Sequence, residues 1–451
     1  MSPLVHGRIY PESDRSSLPR REFRILLDPS PINDATVSAL LEIDVLRQYL
    51  HSLPGPPCRI TFVAPANDPS SPPAAFASLA SLGLEIVPFS TDLTAEATEA
   101  LGAVAEDQQS LRLLVATALR NDIDVIAGAF VPRGFDAQGL LQATGLILGD
   151  WKQVKRCCEI FVRGHDIPWT FSHPAWGYPW TPFYSIAEPD RKLIALWEAA
   201  RTIPPGPSGL EPDALETLRS LALNRHAGLC YTRDKLLFYA HHDRLARRHP
   251  KIKADYAFQA GYHLNHYYLQ LSAGLDQVCW VTNAVFVLGF ARKEWRKVGV
   301  MNPAFLGRLR EKAPGAARIF EEPDFVKWAK MLRASRNFVA HEGFSLPAEM
   351  YLRPENEPTE AELDKEIEAS HEWKELAALL PPNLLDLARP TLRQEALLRR
   401  CKKIPERILK ISIDGQEAFT YPLLNIEWDF DNFFAFAHKL ADLALARFQA
   451  S

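Results

Sequence analysis

From Phe23 to about Trp169 the chain repeats one pattern: a short apolar run, a segment of helical periodicity, then another apolar run. Parallel strands need a crossover of a dozen or more residues, and helix-length spacers between apolar runs supply it. The strand-like runs are Arg24-Ile25-Leu26-Leu27-Asp28, then residues 59–63, 84–87, 123–126 and 160–162. Helical patterns cover 34–50, 74–82, 110–120 and 137–148. This alternation predicts a three-layer α/β domain over residues 23–185, with a mainly parallel sheet between helices. Its end, 168–183, is dense in Pro and aromatics and reads as ordered coil. The first 22 residues lack an apolar signal core and read as a flexible leader.

The run Ile203-Pro204-Pro205-Gly206-Pro207-Ser208-Gly209 removes backbone donors and raises the cost of order. It places a connection over 186–212. Residues 213–451 are predicted mostly α-helical, with patterns at 212–222, 234–248, 255–292 and, after Pro323, from Asp324 onward. An insertion over about 345–425 carries an acidic stretch, 353–375, and a small hairpin around Asp414-Gly415. An amphipathic helix, 431–448, closes the chain.

The 451 residues, 47% hydrophobic and 24% charged, suffice for more than one core. A net charge of -4 excludes binding driven by a positive whole-molecule field, so any nucleic-acid contact rests on a local patch. Six cysteines without a C-x-x-C pair encode neither a disulfide framework nor a thiolate zinc cluster, and the expected location is the cytoplasm. The longest apolar stretch, 267–291, contains Gln270, Asp276, Gln277 and Asn283, which favours a buried helix over a membrane span. No membrane partner is expected.

The segment 322–344 combines a capped start, an apolar stripe of Phe325, Trp328, Leu332 and Val339, and a stop at Gly343. Steps of four residues put Arg333, Asn337 and His341 on one line of this helix, and Arg336 leans to the same end. A guanidinium, an amide and an imidazole together suit phosphate chemistry: Arg grips two oxygens, Asn fixes a neighbour, and His moves a proton near neutral pH.

Arg336-Asn337-Phe338-Val339-Ala340-His341 resembles the signature of the HEPN superfamily, an Arg often followed by Asn and, a few residues later, a His at a helix end. The resemblance covers roughly residues 210–451. It implies a metal-independent endoribonuclease in defence or stress response, acting as a homodimer whose two motifs meet in one site. Arg336, Asn337 and His341 would be catalytic, RNA the substrate, and no cofactor required. A regulatory protein or small-molecule ligand is the further expected partner. The alternative is a non-catalytic RNA- or partner-binding module with an N-terminal ligand-sensing domain. One subgroup carries a modified Tyr two residues after the His; here that position is Gly343.

Weaker signals surround the motif. Arg333, and His263 with His266 beside Tyr262, Tyr267 and Tyr268, are expected to line the substrate groove of the dimer. The N-terminal half faintly resembles PIN-type nucleases, which would make Asp28, Glu42 and Asp107 a Mg²⁺ or Mn²⁺ set, but Ala127-Gly128-Ala129 stands where that family expects another Asp. Arg163-Gly164-His165-Asp166 reads equally as a ligand contact or a strand bend, and Arg244 with His249 repeats the Arg-to-His spacing without the Asn.

Overall fold

In a computed structural model the described residues are 22–28, 34–53, 58–67, 81–93, 109–128, 137–167, 188–206, 209–248, 256–341, 358–379, 382–400 and 409–449, with short pieces at 76, 79, 97–98, 101, 169, 183–185, 351–352 and 402–403. The leader to residue 21, most of the expected helix at 74–82 and most of the coil at 168–183 lie outside them. The chain divides into two compact units: 1–346 with 411–418 and 423–451, and 347–410 with 419–422.

The first unit begins with β1 (Glu22–Leu27), α1 (Asp34–Ser52), β2 (Arg59–Ala66), β3 (Glu85–Pro88), α2 (Gln109–Arg120), β4 (Val125–Ala127), α3 (Ala137–Thr144), β5 (Ile147–Gly149) and α4 (Trp151–Gly164). The strands form one parallel sheet in the order β3-β2-β1-β4-β5. Neighbouring residues point to opposite faces, and both faces are apolar. Ile25, Leu27, Phe62 and Val125 pack with Leu40, Ile43 and Leu46 of α1 and with Val154 and Phe161 of α4. Leu26, Val63, Val87 and Ile126 pack with Leu114, Val115 and Leu140 of α2 and α3. Such double coverage is what a parallel sheet requires. The α/β domain with flanking helices is thus present as the periodicity predicts.

Two local expectations fail for clear reasons. Residues 160–162 are not a strand but part of α4. Asp150 caps that helix, accepting from the Gln153 amide at 2.8 Å while the Gln153 side chain accepts from the Asp150 amide at 2.9 Å. Val154, Cys158, Phe161 and Val162 then fall on one buried helical stripe. The helix expected over 137–148 ends at Thr144 instead, because Gly145 adopts φ 73° and hands the chain to β5.

A mostly helical region follows: α5 (Arg191–Thr202), α6 (Pro212–Arg219), a π-helical turn at Ser220–Arg225, α7 (His226–Arg248), α8 (Tyr256–Val285), a 3-10 turn at Arg292–Lys297, α9 (Pro303–Lys312), α10 (Pro314–Phe320) and α11 (Pro323–His341). The second unit holds α12 (Glu360–Ala369), α13 (His371–Leu379) and α14 (Pro382–Arg400), where Arg393 bridges to Asp364 at 2.6 Å beside a core of Leu363, Ile367, Leu392 and Ala396. In the first unit α15 (Pro422–Gln449) closes the bundle. Its Phe436 stacks on Phe325 of α11 with centroids 3.9 Å apart, and its Asp429 accepts from the Trp328 indole at 2.8 Å. Among the described residues no helix is long and apolar enough to cross a membrane.

Helices α4 and α7 join the sheet to the bundle. Gly164 lets them touch: a Cβ there would stand 2.2 Å from the Phe238 ring. Beside it Asp234, buried at 1% exposure, receives Arg163 at 2.9 Å, Arg156 and Arg233 at 3.1 Å, and the Tyr184 hydroxyl at 2.8 Å. Burial alone raises a carboxyl, but Arg163, Arg156 and Arg233 outweigh it and hold Asp234 well below the usual carboxylate range. Arg163-Gly164 is therefore a helix end locked into an ionic knot, not a strand bend.

Candidate functional site

Helix α11 forms because Pro323 opens it with a preset φ and Asp324 complements the positive end of its dipole. Its stripe of Phe325, Trp328, Leu332 and Val339 is buried, which turns the other side outward. Arg333 and Asn337 are exposed and Arg336 is half-buried. The Arg336 Nη1 donates to the Asn337 Oδ1 at 3.2 Å, so the amide orients the guanidinium. His341 is the last residue of the helix, and its side chain lies outside the described residues.

Arg333, Arg336 and Asn337 form one wall of an open groove of about 570 Å³. Ser272, Asp276 and Trp280 of α8 supply another wall, and Trp295, Arg296 and the chain to Pro303 supply the rim. Desolvation in the groove raises the Asp276 carboxyl above its ordinary value, and Arg336 offsets only part of that rise. Among the described lining residues three arginines face one aspartate. The groove is a local cationic patch on a chain of net charge -4. Two guanidiniums one helical turn apart and a hydrogen-bonding amide fit a phosphodiester, since each guanidinium forks onto two oxygens.

The other expected site residues go elsewhere. His263 stacks on Tyr239 of α7 at 5.5 Å, and burial, with Lys235 adding to it, depresses its imidazole to about 4. His266 pairs with Gln270 at 3.0 Å, and Gln270 in turn accepts from Arg225. Neither histidine belongs to the groove lining, which on α8 begins at Ser272. Asp28 directly follows β1, its amide bonded to Ala127 of β4, where the strand order reverses and such sheets hold ligands. Glu42, however, is exposed and paired with Lys155, and Asp107 lies outside the described residues. Among the described residues no three His, Cys, Asp or Glu side chains gather as a metal set. Arg244 is buried on α7, with its Cβ 3.2 Å from where a Cβ on Gly145 would stand; His249 lies outside the described residues.

Sequence reasoning missed the far side of the groove: Asp276, Trp280, Trp295 and Arg296. One signal pointed to it. Arg292-Lys293-Glu294-Trp295-Arg296-Lys297 sets an indole among four cations, an aromatic interleaved with basic residues as nucleic-acid surfaces have. No protein-family model, curated protein or solved structure matches the chain.

Proposed function

We propose that the chain is a metal-independent endoribonuclease of the HEPN type, acting in defence or stress response, with the α11 groove as its site. The observation that carries this reading is the gathering of Arg333, Arg336 and Asn337 on one groove wall, on the helix that ends at His341. In the proposed reaction the 2′-OH attacks its own phosphorus and the bond to the 5′-oxygen breaks. A 2′,3′-cyclic phosphate and a 5′-hydroxyl result. His341 takes the 2′-OH proton, and the His341 of a second copy protonates the leaving oxygen, which is why a homodimer is part of the proposal. Arg336 neutralises the charge that grows on the non-bridging oxygens, held in place by Asn337.

Purified protein incubated with RNA and EDTA tests this. The expected outcome is cleavage that survives the chelator and leaves a 2′,3′-cyclic end. Activity lost in EDTA and also lost in Asp28→Asn would move the site to the sheet edge and overturn the proposal.

A non-catalytic RNA-binding module with a ligand-sensing N-terminal domain is the second reading. What favours it is a crevice of about 750 Å³ lined by Phe23 of β1, Arg156 of α4, and His242 and Arg244 of α7. Binding of RNA without cleavage, in the same incubation, would select it.

A further inference from the structure

We infer that the substrate is unpaired RNA, whose bases stack on Trp295 and Trp280 while its phosphates lie on Arg296, Arg333 and Arg336; the inference rests on the RNA-directed reading above. Trp295 is 59% exposed, and the 3-10 turn that carries it buries none of its residues. The indole therefore does little for the core, and leaving it in water gains the fold nothing.

Its position is informative. Trp280 and Trp295 line both the 570 Å³ groove of α11 and a second groove of about 560 Å³, so the two indoles stand on the divide between them. The two sides differ in charge. Arg296, Arg333 and Arg336 face Asp276 on one. On the other, Glu211 and Asp213 accompany Arg292, which is already bound to Asp213 at 2.6 Å, and the walls include Val287 and Phe290.

A polyanion is drawn to the first side and repelled from the second, and that places the backbone on the arginines and the bases across the divide. The Arg296 guanidinium lies 5.3 Å from the Trp295 ring, so a phosphate contact and a stacking face meet at adjacent residues. Paired RNA cannot use such a ledge. In an A-form helix the base faces are stacked on each other, and only grooves and backbone are offered. Single strands present a π-face at each nucleotide, and stacking on an aromatic side chain tolerates any base.

The test measures binding by fluorescence anisotropy in a His341→Ala background, with a labelled single-stranded oligoribonucleotide and with its duplex. The single strand is expected to bind more tightly than the duplex. Trp295→Ala should weaken the single strand by about 5- to 150-fold, the usual worth of one stacked base. Trp295→Phe should recover much of that loss, and duplex affinity should change little. Arg336→Ala in the same background separates the two levels of the argument. If Arg336→Ala weakens binding and Trp295→Ala does not, the stacking ledge is overturned while the basic groove stands. If neither variant matters, the RNA-directed reading fails with it. Light scattering covers the competing occupant: if Trp295→Ala turns a dimer into a monomer with RNA affinity unchanged, the ledge is a contact between copies and the inference is wrong.

Discussion

At the α4–α7 junction Arg163, 4% exposed, converges with Arg156 and Arg233 on the single carboxylate of Asp234. In the α11 groove Arg333 and Arg336 meet solvent, with Asp276 as the acid in the lining. The same side chain serves opposite ends. Buried guanidiniums need their counter-charge to exist inside a protein at all, so the knot is committed to holding the sheet on the bundle. Exposed ones are stabilised by water and can exchange that water for a phosphate. Charge alone does not mark a binding site; charge that the fold leaves uncommitted does.

The largest expected effect breaks the knot. Asp234→Ala removes the carboxylate that Arg163, Arg156 and Arg233 share, leaving Arg163 with Glu188, Arg233 with the more distant Glu427 and the half-buried Arg156 to solvent, and should cost up to about 3–5 kcal/mol in urea unfolding; a variant that unfolds with the wild type would erase the distinction between the two regions. Acid comes next. Burial depresses His226 and His263 to about 4 and His242 to about 3. The unfolded chain binds these protons near pH 6.5 and the folded chain does not, so stability falls as pH drops from about 6.5 to 4. Asp429 works the other way. Burial raises it to about 7 despite the Trp328 indole, so its burden grows as pH rises from about 4 to 7. Asp429→Asn should therefore stabilise at pH 8 and not at pH 4, which thermal melts at the two pH values can read. None of these groups lies in the groove lining, so RNA affinity should not follow the same curve.

A smaller effect belongs to Gly164→Ala, where the Phe238 ring must shift, at about 1–3 kcal/mol. On α9 a methyl added at Gly307 would meet nothing within 4 Å, and Gly307→Ala should be neutral or stabilising by up to about 1 kcal/mol. The smallest effect is in the groove: Arg333→Ala should move stability by no more than about 0.5 kcal/mol. A larger loss in urea unfolding would place it with the knot.

The sheet and α11 were legible because their signals are local. Alternating runs such as Arg24 to Asp28, and a stripe such as Phe325, Trp328 and Leu332, carry their own period. The strand expected at 160–162 failed because Phe161 and Val162, taken alone, fit either period, and the deciding cap sits ten residues earlier at Asp150. The knot was not legible, and of the far groove wall only the basic run around Trp295 left a mark in the sequence. Arg163 and Asp234 are 71 residues apart, and Arg336 and Asp276 are 60 apart, so no spacing rule joins them. His263 and His266 show the converse: neighbours in sequence, they turn to Tyr239 and Gln270 and away from the groove.

The central claim is that the uncommitted arginines of α11 do chemistry. It is tested most directly by the rate of RNA cleavage in EDTA for wild type and Arg336→Ala, with urea unfolding of both. The expected result is a rate lower by about 10²- to 10³-fold, the usual cost of losing one group that stabilises a charged transition state, with stability within about 0.5 kcal/mol of wild type. Full activity in Arg336→Ala, or a loss of activity matched by a loss of stability, would contradict it.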